Sequence, residues 1–209
     1  MNDRNLFIAL IGASVVGALL LAPALASAVG DYLTIAQAKV TVDDNLMTAR
    51  FTTQHTIPLE GAFGYGVFTK VTEGEGGPLP AEAIVTTTHA GVLDSEKQAD
   101  KDDSIMHNHY VKLVAADGSV CPSTIQVGEI TWESPGGVVV AKNRATMQDA
   151  PLDFDGTFSL NRSVELSYSG GTPLVGASFT LGPVFDGGGN LTNVCVNPVD
   201  FPHKLTPAN

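Results

Sequence analysis

The chain has 209 residues, of which 44% are hydrophobic, and its 11 basic against 22 acidic residues give a formal net charge of −11. That length suits one domain with a core large enough not to depend on cross-links. Such an acidic surface repels nucleic acid and anionic lipid, which excludes both as partners, and it favours cations or simply keeps the protein in solution.

Reading from the first residue, a charged start (Asn2-Asp3-Arg4) leads into the apolar run Leu6 to Leu21, then Pro23 and the small-residue pattern Ala24-Leu25-Ala26-Ser27-Ala28. Charged, apolar and cleavage regions in that order predict a secretory signal peptide over residues 1–28, cut after Ala28 or, as the alternative, after Ala26. An uncleaved membrane anchor is the competing reading, since the apolar run is long enough to span a bilayer. Small residues at both cleavage positions favour cutting. Either way the rest of the chain is expected outside the cytoplasm, secreted or at the cell surface, and no later stretch is long and apolar enough to cross a membrane. Removing Asp3 and Arg4 together leaves the net charge unchanged.

Tyr32 to Val42 and Leu46 to Thr53 alternate apolar and polar residues around Asp43-Asp44-Asn45, which predicts a hairpin. Ala62 to Thr72 is a further strand, with Phe63, Tyr65, Val67 and Val71 on one face. Gly64 and Gly66 lie on the other, where a backbone or an aromatic ring is expected to pack closely. Glu73 to Pro80, with its glycines and prolines, predicts a loop. Glu82 to Thr88 is a short β-branched strand ending at His89. Asp94 to Asp103 is acidic and nearly without apolar residues, so it reads as an exposed loop.

Ser104 to Ala116 is the strongest strand signal. Alternation puts Ile105, His107, His109, Val111 and Leu113 on one face, and Met106, Asn108, Tyr110 and Lys112 on the other. The histidine face is the more apolar, which places both imidazoles at the margin of the packed interior. Asp117-Gly118 predicts a type I′ turn leading to Thr124 to Glu133, which carries Trp132. Pro135-Gly136-Gly137 breaks the chain before Val138 to Val140. Asp155-Gly156 predicts a turn into an alternating segment with Phe158, Leu160, Val164, Leu166 and Tyr168 inward; Arg162 interrupts that row and is expected to snorkel or find a carboxylate. Leu174 to Leu181, a glycine turn at Asp186 to Asn190, and Val194 to Val199 follow.

About ten short strands without an amphipathic helix predict an all-β fold. The expected architecture is a single-domain antiparallel β-sandwich, Ig-like or jelly-roll-like, over residues 29–201, with a loose tail over 202–209. Cys121 and Cys195 fall in different strand regions of an exported chain and are expected to form a disulfide. Closing a loop of that length raises the free energy of the unfolded chain by roughly 4 kcal/mol in the entropic account.

His107-x-His109 puts two nitrogen donors on one face about 7 Å apart along the strand, close enough to share an ion. Imidazole suits zinc and copper, and a third ligand is normally needed. His89 is the best candidate, because an antiparallel neighbour would return it beside His107, while Asp94 or Glu96 would supply an oxygen ligand or orient a ring. Against this stands the plainer reading of hydrogen-bonded imidazoles at the edge of a core. His55 and His203 are isolated. The run 94–103 lacks the spacing of a calcium loop. Glu129 and Glu133 bracket Trp132 but sit about 13 Å apart on a regular strand, too far for a pair of glycosidase carboxylates. No Gly-x-Ser-x-Gly elbow and no phosphate-binding loop occurs. Asn161 and Asn190 begin N-glycosylation triplets.

These readings favour a non-catalytic binding or structural module, with a protein or carbohydrate partner at the cell surface, that holds zinc or copper at the histidine cluster. A metal-dependent enzyme using the same residues is the first alternative. The second is a self-assembling surface subunit, a homo-oligomer in which Val29 to Val42 pairs with a neighbour's sheet edge.

Overall fold

The computed structural model describes residues 31–74, 77–89, 92, 105–123 and 125–207; the expected signal peptide lies outside them. The described residues contain no helix and form twelve strands: β1 (Ile35–Asp43), β2 (Leu46–Thr53), β3 (Ala62–Gly74), β4 (Gly77–His89), β5 (His107–Ala115), β6 (Ile125–Ile130), β7 (Gly137–Ala141), β8 (Arg144–Pro151), β9 (Phe154–Phe158), β10 (Asn161–Tyr168), β11 (Val175–Phe185) and β12 (Leu191–Pro207).

The protein is all-β, as the strand and turn pattern predicts, but the expected open sandwich is corrected. Strands β11, β3, β4, β5, β6 and β12 pair in that order, and β12 pairs back with β11, so six strands close into an antiparallel barrel. Closure leaves no free edge within the ring. A second layer, β1-β2-β8-β7, grows from the far end of β12, where Ala38 to Val40 run parallel to Leu205 to Pro207. Residues 202–207 are therefore sheet and not a loose tail. β1 is hydrogen-bonded to β2 on one edge and to β12 over part of the other.

Two apolar clusters follow from this arrangement. The inner one fills the barrel with Phe68, Ala83, Val85, Val111, Leu113, Ile125, Ala177, Phe179 and Val196. The outer one lies between barrel and second layer, where Phe63, Tyr65, Val67, Ile84 and Tyr110 meet Ile35, Met47, Phe51 and Met147. Phe51 stacks on Tyr65 at 5.5 Å, and Tyr65 donates its hydroxyl hydrogen to the Tyr32 carbonyl. The β9–β10 hairpin adds Phe154 and Tyr168 against the ring of Tyr110.

Several local expectations change. Where a loop is expected over Glu73 to Pro80, Glu73 and Gly74 continue the β3–β4 ladder opposite Pro78 and Gly77. Asp117 does not start a type I′ hairpin: its carbonyl accepts from Val120 N and Cys121 N, and a longer connection reaches β6. Asp155 and Gly156 lie inside β9, paired with Ser167 and Leu166. Arg162 settles over the Trp132 ring at 4.4 Å. β8 went unread in the sequence because its buried apolar residues, Ala145, Met147 and Ala150, are small or unbranched and do not alternate regularly.

The glycine face of β3 is explained by the barrel interior. A Cβ on Gly64 would lie 2.5 Å from the Thr86 carbonyl oxygen, 2.7 Å from the Thr87 methyl and 2.9 Å from the Phe179 ring. Cys121 and Cys195 form the expected disulfide, with Cα atoms 5.4 Å apart. It lies at the shortest join of the ring: among the described residues β6 meets β12 through only Cys195 opposite Gln126 and Val196 opposite Ile125.

Two outcomes follow. Cys121→Ser/Cys195→Ser lowers the unfolding free energy by about 4 kcal/mol in urea titrations, and hydrogen exchange in the reduced protein speeds up first at Ile125 to Val127. Gly64→Ala destabilises by about 1 to 3 kcal/mol because its methyl meets backbone and ring, whereas Gly187→Ala, with nothing within 4 Å of its Cβ position, leaves the melting curve unchanged.

Candidate metal centre

β5 is central in the barrel and has packing on both sides. Its histidine face points into the ring and its other face into the second layer, so both imidazoles lie inside the packed interior and not at its margin. His107 and His109 are each 3% exposed and Asn108 is fully buried. Asn108 donates from Nδ2 to the carbonyls of Pro135 and Gly137 at 2.8 and 3.3 Å, tying β5 to the start of β7.

β4 and β5 run antiparallel with Thr87 opposite His107 and Val85 opposite His109. His89 is two residues beyond Thr87, and parity keeps it on the same barrel face. The three imidazoles expected to cluster are together: one ligand nitrogen from each of His89, His107 and His109 lies within 4.8 Å of the others. The His89 and His107 Nε2 atoms are 3.0 Å apart. Ring centroids are 4.7 Å apart for His89–His107 and for His107–His109, and 5.8 Å for His89–His109. Three nitrogens around one tetrahedral ion with bonds of about 2.0 to 2.1 Å stand about 3.3 Å from each other. The closest pair stands near that spacing, and all three ligand nitrogens lie within 4.8 Å of one another.

The chain also fixes which nitrogen is offered. A backbone carbonyl can only accept, so His109 Nδ1 donates to Thr131 O at 2.7 Å and His107 Nδ1 donates to Ile105 O at 2.9 Å. Both rings thereby present Nε2 with its lone pair, an arrangement that orients imidazoles for a metal. His109 Nε2 is buried without a hydrogen-bond partner among the described residues. Burial, followed by the neighbouring His107 and His89, holds the His109 imidazole well below its ordinary pKa, against the smaller opposing pull of the Thr131 carbonyl. It stays neutral and able to ligate.

His89 and His109 also border a cavity of about 60 Å3 inside the barrel, walled by Phe68, Val85, Val111, Leu113, Phe179 and Val196 among others. Thr87 lines the same cavity, and its buried Oγ1 has no hydrogen-bond partner among the described residues. Reading the sequence for ligand types did not single out Thr87 or the Thr131 carbonyl. The run Thr86-Thr87-Thr88 leading into His89 was the available signal for the first, and nothing local marks the second.

Asp94, Glu96 and the rest of the acidic run lie outside the described residues. The remaining candidates have structural employment. His55 Nε2 is 3.1 Å from Asp31, and His203 Nδ1 is 3.2 Å from Asp200. Glu129 pairs with Lys112 at 2.7 Å, and Glu133 accepts from Thr157 N and Oγ1, each at 2.8 Å. Asn161 and Asn190 are exposed. No family model, curated protein or solved structure matches the chain.

A depressed imidazole links stability to pH. Unfolded His109 binds a proton near its ordinary pKa of about 6.5, while the folded ring resists protonation. The stability it contributes is therefore complete above that value and is lost as pH falls below it. In chelator-treated protein the denaturant midpoint declines between about pH 7.5 and 5.5, and His109→Gln declines less over the same interval. Equal slopes for the two proteins rule out a neutral, buried His109.

Proposed function

We propose that the protein is an extracytoplasmic metal-binding β-barrel that holds one divalent transition-metal ion through His89, His107 and His109, with zinc or copper as the ion. The observation that carries the reading is the His109 Nε2 lone pair. It is buried, fixed in orientation by the Thr131 carbonyl, without a hydrogen-bond donor among the described residues, and aimed at two further imidazoles. A buried acceptor in that state costs about 1 to 3 kcal/mol, and a cation would offset it. Three neutral nitrogens favour zinc or copper over calcium or magnesium, which take oxygen ligands. The overall charge of −11 draws cations towards the chain.

Export is supported by the charged, apolar and small-residue order of residues 1–28 and by the disulfide, a bond that persists in oxidising compartments. No helix among the described residues is long and apolar enough to cross a membrane. The role is binding or structural, the site serving to carry or sense the ion. One observation favours the second reading, a metal-dependent enzyme. His89 and His109 border a cavity, and an ion with three protein ligands and an adjoining space keeps a coordination position for an exogenous group.

Metal analysis after dialysis against zinc or copper gives one ion per chain for the wild type and none for His107→Ala/His109→Ala, with the β-sheet circular dichroism of both alike. At a free metal concentration of 100 times Kd the ion stabilises the wild type by about 2.7 kcal/mol and leaves the double variant unmoved. A wild type without stoichiometric metal ends this proposal.

A further inference from the structure

We infer that the barrel interior is a binding chamber for an uncharged, apolar molecule of about two or three heavy atoms, the size of dioxygen or carbon monoxide. The cavity itself is the site, so the inference goes beyond the metal reading and does not rest on it.

Volume sets the size. Protein interiors hold few voids larger than a water, yet this cavity measures about 60 Å3, and a water's share of the liquid is roughly 30 Å3. It falls well short of the ~150 Å3 that admits benzene. The space exists because β4, β5 and β12 present Val85, Val111 and Val196 to it, where longer aliphatic side chains would close it.

Polarity sets the class. Thr87, His89, His109 and Ser159 are the polar side chains among the described lining residues, and the other walls are apolar. A buried water needs about two to four polar partners, and a buried ion needs a paired charge. Phe68, Val85, Val111, Leu113 and Phe179 are buried and supply neither. An apolar molecule gives up no hydrogen bond on entering among them and gains dispersion contacts that an empty space lacks.

The lining continues from these buried residues to Leu181, Pro183, Leu191 and Val194, which are half-buried and sit on the paired arms of β11 and β12, with Pro183 opposite Val194. The approach from solvent is therefore apolar as well. His89 and His109 belong to the same lining, so a molecule in the chamber lies beside two of the proposed metal ligands.

The probe is xenon, dissolved under pressure with chelator-treated full-length protein and followed by the methyl resonances. Saturable shifts are expected at Val85, Val111, Leu113 and Val196, with one xenon per chain, and dissolved dioxygen broadens the same methyls through its paramagnetism. Formate, charged and of similar size, moves none of them. Val111→Ile/Val196→Ile fills the chamber: it keeps the β-sheet circular dichroism, does not lower the melting temperature, and weakens xenon about tenfold or more. Val111→Ile alone, the gentler change, weakens xenon to a lesser degree.

A wild type without saturable shifts at these methyls, filled variants that bind xenon as tightly as the wild type, or formate bound among the same methyls overturns the chamber. None of these results bears on the metal site, which stands or falls on the metal count.

Discussion

The alternation of side chains along β5 is the constraint on which the rest depends. One pleat sends His107, His109, Val111 and Leu113 into the barrel and Asn108 and Tyr110 into the second layer, and all but Leu113 are buried to within a few per cent. A slip of one residue would exchange the faces. It would drive Tyr110 into a lumen already occupied by Phe179 and Phe68 and would break the Asn108 bonds to Pro135 and Gly137. The register that brings the imidazoles together is thus enforced by packing on the opposite side of the strand. The site inherits its precision from a core that contains none of its ligands.

Barrel closure and the second layer meet in β12. Its 17 residues pair with β11 along most of their length, with β6 near one end and with β1 near the other. One long strand therefore joins both layers, and the weakest of its contacts, the short ladder with β6, is the one that carries the disulfide. The cross-link does more there than shorten the loops of an unfolded chain. It holds β6 in the ring, and the end of β6 leads directly to Thr131, whose carbonyl orients His109. Barrel integrity and imidazole geometry are connected through six residues of strand.

Much of this was legible in the residues. Alternation in Ser104 to Ala116 placed the two histidines on one face. Asp44 and Asn45 take the positive φ values, 45° and 67°, that their turn position demands. The glycines of β3 announced a close neighbour, which is Phe179. What was not legible is nonlocal. Nothing in β11 or β12 alone says that they pair with β3 and β6, and those pairings close the barrel. The residues from Pro202 read as a loose tail, yet β12 runs on to Pro207 and holds Pro198, Pro202 and Pro207 within one strand. Turn signals misled where tertiary pairing prevailed, as at Asp155-Gly156 inside β9.

The histidine cluster is also where sequence and packing disagree, and the disagreement is informative. Positions 107 and 109 lie on a face continued by Val111 and Leu113 inside an apolar barrel, and larger aliphatic side chains there would fill the cavity and stabilise the fold. The chain instead carries imidazoles whose buried lone pair and neighbouring hydroxyl, at His109 and Thr87, are left without hydrogen-bond partners among the described residues. Each such group costs about 1 to 3 kcal/mol against a domain stability of roughly 5 to 15 kcal/mol. These local rules are broken together on the inward faces of β4 and β5, in a fold otherwise consistent with its pattern.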